Sequence, residues 1–146
     1  MATNRKSGLP DIDLAAPLST DQDVIRRVDH LLRQDSRRQR SILLLFLSAD
    51  GVQLPVVVPI DDVPERPDEL LVENLCGVIA QVLDDVAEAG SAVIALVRPG
   101  SEIVDECDRR WFRALHASAH VRGAAIRMIC LATEAGLRQL TLDDAG

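Results

Sequence analysis

The sequence predicts a three-layer α/β/α domain around a mixed five-stranded sheet, and three observations lead to that prediction. Continuous apolar runs at 41–49, 91–97 and 124–132 are typical of strands that are buried on both faces. Between these runs, apolar residues recur at helical spacing. An Asp-Gly pair after the first run indicates a hairpin. The predicted element order is α-β-β-α-β-α-β-β, and right-handed crossovers favour the strand order 2-1-3-4-5.

Length and composition predict one domain. The chain has 146 residues, 47% of them hydrophobic, which is enough for a single core. The net charge of −7 argues against nonspecific binding to nucleic acid or to an anionic membrane. Three widely spaced cysteines and the lack of an N-terminal apolar run predict a reduced, cytoplasmic protein. We expect a tail or arm over 1–18 and one α/β domain over 19–146.

The first half of the domain holds a helix and a hairpin. Ser19 and Thr20 can cap a first helix that runs to about Gln34. The apolar stripe of this helix contains Val24, Val28, Leu31 and Leu32. Asp50-Gly51 predicts a two-residue type I′ turn after the first strand. Pro55 places the returning second strand at a sheet edge, because proline has no N–H to donate.

The second half alternates helices and strands. Pro67-Asp68 begins a second helix that Gly90 ends. Its predicted inward stripe contains Leu71, Leu75, Val78, Ile79, Val82 and Val86. Asp105 caps a third helix that ends at Gly123. Its predicted inward residues are Trp111, Leu115 and Ala119. A short fifth strand over 137–142 precedes an acidic tail.

The candidate ligand or partner residues follow the third strand. Open α/β sheets bind ligands beyond the carboxyl ends of their strands, and helix N-termini bind anions. The residues in this position are Arg98, Ser101, Asp105, Asp108 and Arg109. The alternative is a solvated loop with an N-cap aspartate and a local ion pair. We favour that alternative, because Asp105 and Asp108 would repel an anion.

The strand at 92–97, Pro99 and Asp108 also carry a family resemblance. With the element order, residues 41–142 resemble the cytidine-deaminase-like fold, in particular the JAB/MPN domain of the bacterial RadC family. That family holds a zinc ion and its water with a His-x-His-Pro stretch, a Ser, an Asp and an upstream Glu. Leu96 and Arg98 stand at the two histidine positions, and Asp108 matches the aspartate if one residue is deleted. The resemblance therefore implies a metal-free member that lacks the family's hydrolase activity.

The deaminase signature is absent as well, since the chain has neither His-x-Glu nor Pro-Cys-x-x-Cys. His116 and His120 are four residues apart, as metal ligands on a helix often are, but no Glu follows His116. We interpret them as part of an ordinary polar face and predict no metal site and no cofactor. The cysteines are interpreted as small buried hydrophobic residues.

The arginines around 35–40 could form a patch for an acidic partner or a nucleic acid. We favour a solvated joint, because Asp35 lies among them and no aromatic residue accompanies them. The cluster consists of Arg33, Arg37, Arg38 and Arg40.

These observations lead us to expect a noncatalytic interaction or regulatory module. The alternative is a hydrolase or transferase that acts on a small anionic ligand at the loop after Val97. Candidate partners are a protein, a small anionic ligand or a second copy of the chain. We expect neither nucleic acid nor a membrane among them.

Overall fold

The structure is a computed structural model that describes residues 15–145. The described elements follow the predicted order, with a 3-10 helix after α1 and a one-turn helix after the last strand as additions. Their bounds are α1 Asp21–Leu31, the 3-10 helix Asp35–Arg38, β1 Ser41–Leu47, β2 Gln53–Asp61, α2 Glu69–Val86, β3 Ser91–Val97, α3 Glu106–Arg122, β4 Ile126–Ala132, β5 Leu137–Leu140 and α4 Leu142–Ala145.

The strands form one mixed sheet in the order β2-β1-β3-β4-β5, which confirms the predicted order. β1 is antiparallel to β2 and β3, β3 is parallel to β4, and β4 is antiparallel to β5. One face of the sheet packs against α2 and α3, and the other packs against α1. Parallel β3 and β4 end at the same sheet edge, where the Arg98 N–H donates to the Ala132 carbonyl oxygen at 3.1 Å. We call this edge, with the loop from Arg98 to Asp105, the crest.

The helix ends confirm most of the predicted caps. Thr20 caps α1, and its side chain and that of Asp23 form a reciprocal capping box. Asp105 and Asp108 form the same arrangement at α3. Gly123 ends α3 in the left-handed conformation, with φ of 69°. The first helix is shorter than predicted, because the chain leaves it at Leu31 and turns into the 3-10 helix.

The predicted arm over 1–18 falls largely outside the described residues. At its described end, Leu18 is buried and packs in the core beneath α1. Its backbone N–H donates to the Gly51 carbonyl oxygen at 2.8 Å. The chain is therefore fixed to the β1–β2 hairpin just before α1 begins.

The predicted inward stripe of α2 is partly wrong. The buried residues of this helix are Val72, Leu75, Cys76, Ile79 and Leu83. Val78 and Val86 are instead 47% and 54% exposed. Apolar residues cover more than one face of α2, so helical spacing alone does not determine which face meets the sheet.

Gly90 does not end α2, which stops at Val86. Ala89 has the left-handed conformation, with φ of 62°. Gly90 is needed for another reason: a Cβ there would collide with the Leu47 carbonyl oxygen and come within 2.8 Å of the Ala87 Cβ. The glycine thus allows the chain to pass close to β1 before β3 begins.

The β1–β2 turn is longer than the predicted two-residue type I′ turn. A type I′ turn requires positive φ at both Asp50 and Gly51, whereas only Gly51, at 84°, has it here. The Gly51 N–H donates to the Ser48 carbonyl oxygen at 2.9 Å, and the Ser48 N–H donates to the Val52 carbonyl oxygen at 2.8 Å. The two strands are thus joined through residues 48–52.

The edge position of β2 is confirmed. Pro55 and Pro59 are both exposed, and Pro55 lies where the β1–β2 register shifts between the Leu45–Val57 and Leu47–Gln53 pairs. Proline on a free edge opposes pairing with another strand. None of the described helices is long and apolar enough to cross a membrane.

Candidate functional site

Arg98 at the crest is buried, with only 6% of its surface exposed. Its Nε donates to Asp108 Oδ1 at 2.9 Å, and its Nη2 donates to Asp108 Oδ2 at 2.8 Å. Nη1 donates to the Pro99 carbonyl oxygen at 3.0 Å, and Nη2 donates to the Ile103 carbonyl oxygen at 2.9 Å. Four of the five guanidinium N–H donors are therefore engaged, and they tie the loop after β3 to the start of α3.

Asp108 is the buried partner of this bidentate pair. Burial by itself raises the pKa of the Asp108 carboxyl group, but hydrogen bonds from Arg98 and from the Asp105 N–H outweigh burial and hold the pKa below its ordinary value of 3.8. The hydrogen bond to Asp108 also raises the pKa of Arg98. Both groups are consequently charged at neutral pH, and the Asp108 carboxylate occupies the place that an anionic ligand of Arg98 would take.

The other predicted site residues surround this pair without forming a binding surface with it. The exposed Ser101 hydroxyl accepts a hydrogen bond from the Ile103 N–H at 3.2 Å. Asp105 caps α3, and its carboxylate lies 3.9 Å from Arg98 Nε. Arg109 is half-buried; its Nη2 donates to the Val104 carbonyl oxygen at 3.4 Å, and its Nη1 lies 3.5 Å from Glu106 rather than near Arg98. The structure therefore brings Arg98, Asp105 and Asp108 together and leaves Ser101 and Arg109 outside.

The space at the crest is small. A cavity of about 20 Å³ lies among Leu96, Arg98, Asp108 and Trp111, which is enough for roughly one water molecule. Leu96 is buried in the core under α2 and α3. The Trp111 indole N–H donates to the Glu65 carbonyl oxygen at 3.0 Å and closes this side of the crest.

Comparison of the chain with protein-family models, with curated proteins and with solved structures finds no match. The interpretation of the site therefore depends on its own geometry.

Arg37 is a second buried guanidinium, which sequence reasoning missed. It is 1% exposed, so the prediction of a solvated joint is wrong at this position. Nη1 donates to the Thr133 carbonyl oxygen at 3.2 Å, and Nη2 donates to the Leu32 carbonyl oxygen at 2.8 Å and to the Asp29 carboxylate at 3.0 Å. Arg37 thus joins the end of α1 to the end of β4. Nothing in the sequence distinguishes Arg37 from its neighbours, because its burial depends on a contact with Thr133, which is 96 residues away in the chain.

The other arginines of this cluster pair with carboxylates on the surface. Arg33 lies 3.9 Å from Asp35. Arg38 lies 3.6 Å from Glu134, and Arg40 lies 3.6 Å from Glu65. Such exposed pairs contribute little to stability but reduce the local positive charge.

Two of the three cysteines are buried away from the crest pair, but Cys107 is half-buried and directly precedes Asp108, so the interpretation of the cysteines as buried residues is wrong for Cys107. Cys76 and Cys130 are buried, and burial raises the pKa of the Cys130 thiol to about 12. His116 and His120 share a face of α3 beside β4 and β5, where a separate cavity opens. Among the described residues, no three His, Cys, Asp or Glu side chains are grouped closely enough to hold a metal ion.

Proposed function

We propose that this chain is a noncatalytic interaction or regulatory module, a metal-free version of the JAB/deaminase-like fold. The observation that carries the proposal is the buried Arg98–Asp108 pair, which fills the edge of the sheet where this architecture would hold a ligand. A catalytic site needs a group that can reach a substrate. At the crest, the charged groups of the pair are satisfied by each other and by the backbone.

The donor chemistry supports the metal-free part of the proposal. Leu96 offers no metal ligand and lies in the core, while Arg98 is a cation that would repel zinc. We place the protein in the cytoplasm, because its three cysteines are all free thiols.

The surface that we propose for a protein partner is the flank of α2 that faces away from α3. Glu73 marks the side of α2 that faces α3, since it lies 3.5 Å from Arg122. Successive helical residues are about 100° apart, which places Val78 and Val82 on the opposite flank. We call this surface the α2 flank and define it by exposed Val78 and Val86 with half-buried Leu71 and Val82. Clustered exposed apolar residues mark interaction sites.

The charge beside the α2 flank indicates the chemistry of the partner. Asp85 and Glu88 are exposed near Val86, the first in the last turn of α2 and the second just beyond the end of the helix. A second copy of the chain docked on the same flank would bring these carboxylates together, and that repulsion opposes self-association. We therefore propose a partner protein whose apolar contact residues are accompanied by arginine or lysine.

Affinity capture from the source cell, followed by a binding measurement with the purified captured protein, tests this proposal. The Val78→Lys/Val86→Lys double variant should weaken binding by about tenfold or more, because it replaces apolar contact area with positive charge that repels the arginine or lysine of the partner. Val121→Lys is the matched control, since Val121 is 82% exposed but lies on α3. The control should bind like the unaltered chain.

Equal binding of all three proteins would contradict the proposed surface, and so would concentration-dependent dimerisation that the double variant abolishes. The noncatalytic part of the proposal fails on a different result, namely one zinc ion per chain after purification without chelator.

A further inference from the structure

A cavity that the proposed function does not use lies near β5, the outer strand on the side of the sheet opposite β2. It has a volume of about 310 Å³ and lies between α3 and the strands β4 and β5. Its apolar surface includes Phe112, Ile129 and Leu140, all of which are buried on the α3 side of the sheet. This volume is at the lower end of the roughly 300–1,000 Å³ range of small-molecule sites.

Four polar side chains from three different elements line the same cavity. His116 and His120 come from successive turns of α3, Arg127 comes from β4, and Gln139 comes from β5. No aspartate or glutamate is among the lining residues, although the chain has 23 acidic residues and only 16 Lys and Arg. The lining therefore carries one cation, Arg127, and no carboxylate of its own.

The polar groups at the cavity have unused hydrogen-bonding capacity. Within the described part of the chain, the His116 and His120 ring nitrogens have no hydrogen-bond partner, and the Arg127 side chain has one, Asp21, at 2.7 Å. The His116 ring stacks on Phe112 with a centroid separation of 5.7 Å, which holds the imidazole against the apolar surface. Arg113, which helical spacing places near this face, donates instead to the Ala145 carbonyl oxygen and to Glu106.

We propose that this cavity binds a small organic anion. Its carboxylate or phosphate group accepts hydrogen bonds from Arg127 and from the two histidines, and its apolar body packs on Phe112, Ile129 and Leu140. A metal ion does not suit the same residues, because within residues 15–145 no third ligand of the usual types accompanies the histidines and Arg127 would repel a cation. The inference goes beyond the proposed function and does not depend on it, since the cavity and the α2 flank lie toward opposite edges of the sheet.

Titration of the purified chain with benzoate and with phenyl phosphate, followed by backbone amide NMR shifts, tests the inference. Benzyl alcohol, which has the same ring without the charge, is the neutral comparison. At least one of the two anions should shift the amide resonances of α3, β4 and β5. Benzyl alcohol should bind with an affinity at least about tenfold lower than that anion. The tighter of the two anions identifies whether a carboxylate or a phosphate ester is the preferred ligand.

Substitutions locate the binding. Arg127→Gln and the His116→Gln/His120→Gln double variant should each weaken anion binding by about tenfold. Arg127→Gln also removes the ion pair with Asp21 and so can loosen α1. The double histidine variant does not, and both histidines are exposed, so it tests binding with the fold retained. His30→Gln, at the third histidine of the chain, and Arg110→Gln are matched controls that should bind normally.

Three results would overturn the inference. These are the absence of binding by either anion up to about 10 mM, equal binding by the double variant and the unaltered chain, and anion binding that only Arg98→Ala removes. None of them bears on the α2 flank, so failure here is distinguishable from failure of the proposed function.

Discussion

At the scale of single residues, the Arg98–Asp108 pair determines what the crest can do. Removing one partner of a buried ion pair leaves the other charge unsatisfied and typically costs about 3–5 kcal/mol. Asp108 has a second role here, because its carboxylate also accepts the Asp105 N–H at 3.0 Å in the capping box. One side chain therefore fixes both the arginine and the first turn of α3.

The lowered pKa of Asp108 predicts a specific pH dependence of stability. A carboxyl group whose pKa falls on folding stabilises the protein at pH values above its unfolded pKa, and that stabilisation is lost as the pH falls through the folded pKa. Asp108→Asn should therefore lower the free energy of unfolding at neutral pH, and the difference from the unaltered chain should shrink below about pH 4. Urea unfolding at a series of pH values measures this difference.

Asp23, Glu106 and Asp144 also have lowered pKa values, owing chiefly to hydrogen bonds from Thr20, Arg113 and Thr141 respectively. These three carboxyl groups are present in the unaltered chain and in the Asp108→Asn variant, so their contributions cancel in the difference between the two free energies of unfolding. A difference that stays constant from neutral pH to about pH 2.5 would show that Asp108 is not held as a stabilising carboxylate.

At the scale of elements, the strands were easier to predict than the face that each helix buries. Six of the seven β3 residues are fully buried, as a continuous apolar run indicates. In α2, by contrast, Val72 and Leu83 are buried while Val78 is exposed, because the final position of the helix depends on α3 and on the sheet. The cap at Asp105 was predictable, since N-capping is local in sequence.

Two glycines give an element-scale prediction with opposite signs. Gly77→Ala should stabilise the protein by about 0.5–1 kcal/mol, because a Cβ in the middle of α2 meets only the Arg122 side chain, at 3.8 Å. Gly90→Ala should destabilise it by about 1–3 kcal/mol, because the added Cβ overlaps the Leu47 carbonyl oxygen. Thermal or urea unfolding of the two variants measures both effects.

The two substitutions add the same methyl group, so each controls for the other. Equal effects would contradict the packing described around Gly90. A loss of stability in Gly77→Ala would show that the α2–α3 contact is closer than the structure has it.

At the scale of the whole molecule, the sheet order could be predicted because few arrangements satisfy an edge proline and right-handed crossovers together. For the candidate site, the sequence predicted the position, at the loop after β3, but not the contacts that its side chains make. The spacing of Arg98 and Asp108 does not reveal that their side chains meet in a bidentate pair, nor that Arg37 is buried against Thr133. The cavity beside His116 and His120 also arises only when α3, β4 and β5 come together.

The crest, which the Arg98–Asp108 pair fills, thus lies between two surfaces: the α2 flank toward the β2 side of the sheet and the cavity beside His116 and His120 toward the β5 side. Neither surface includes Arg98 or Asp108. The pair holds the loop between β3 and α3 in place, and β3 is the central strand of the sheet. Its strength is therefore the property on which a structural interpretation of the crest depends.

A double-mutant cycle on this pair tests that interpretation most directly. The free energies of unfolding of Arg98→Ala, Asp108→Ala and the double variant are compared with that of the unaltered chain in urea. A structural junction predicts a coupling energy of about 2–3 kcal/mol, with the double variant losing much less stability than the two single losses together. A coupling energy of about 0.5 kcal/mol or less is the value of a solvated surface pair. That result would contradict the structural interpretation and would favour a binding role for Arg98 at the crest.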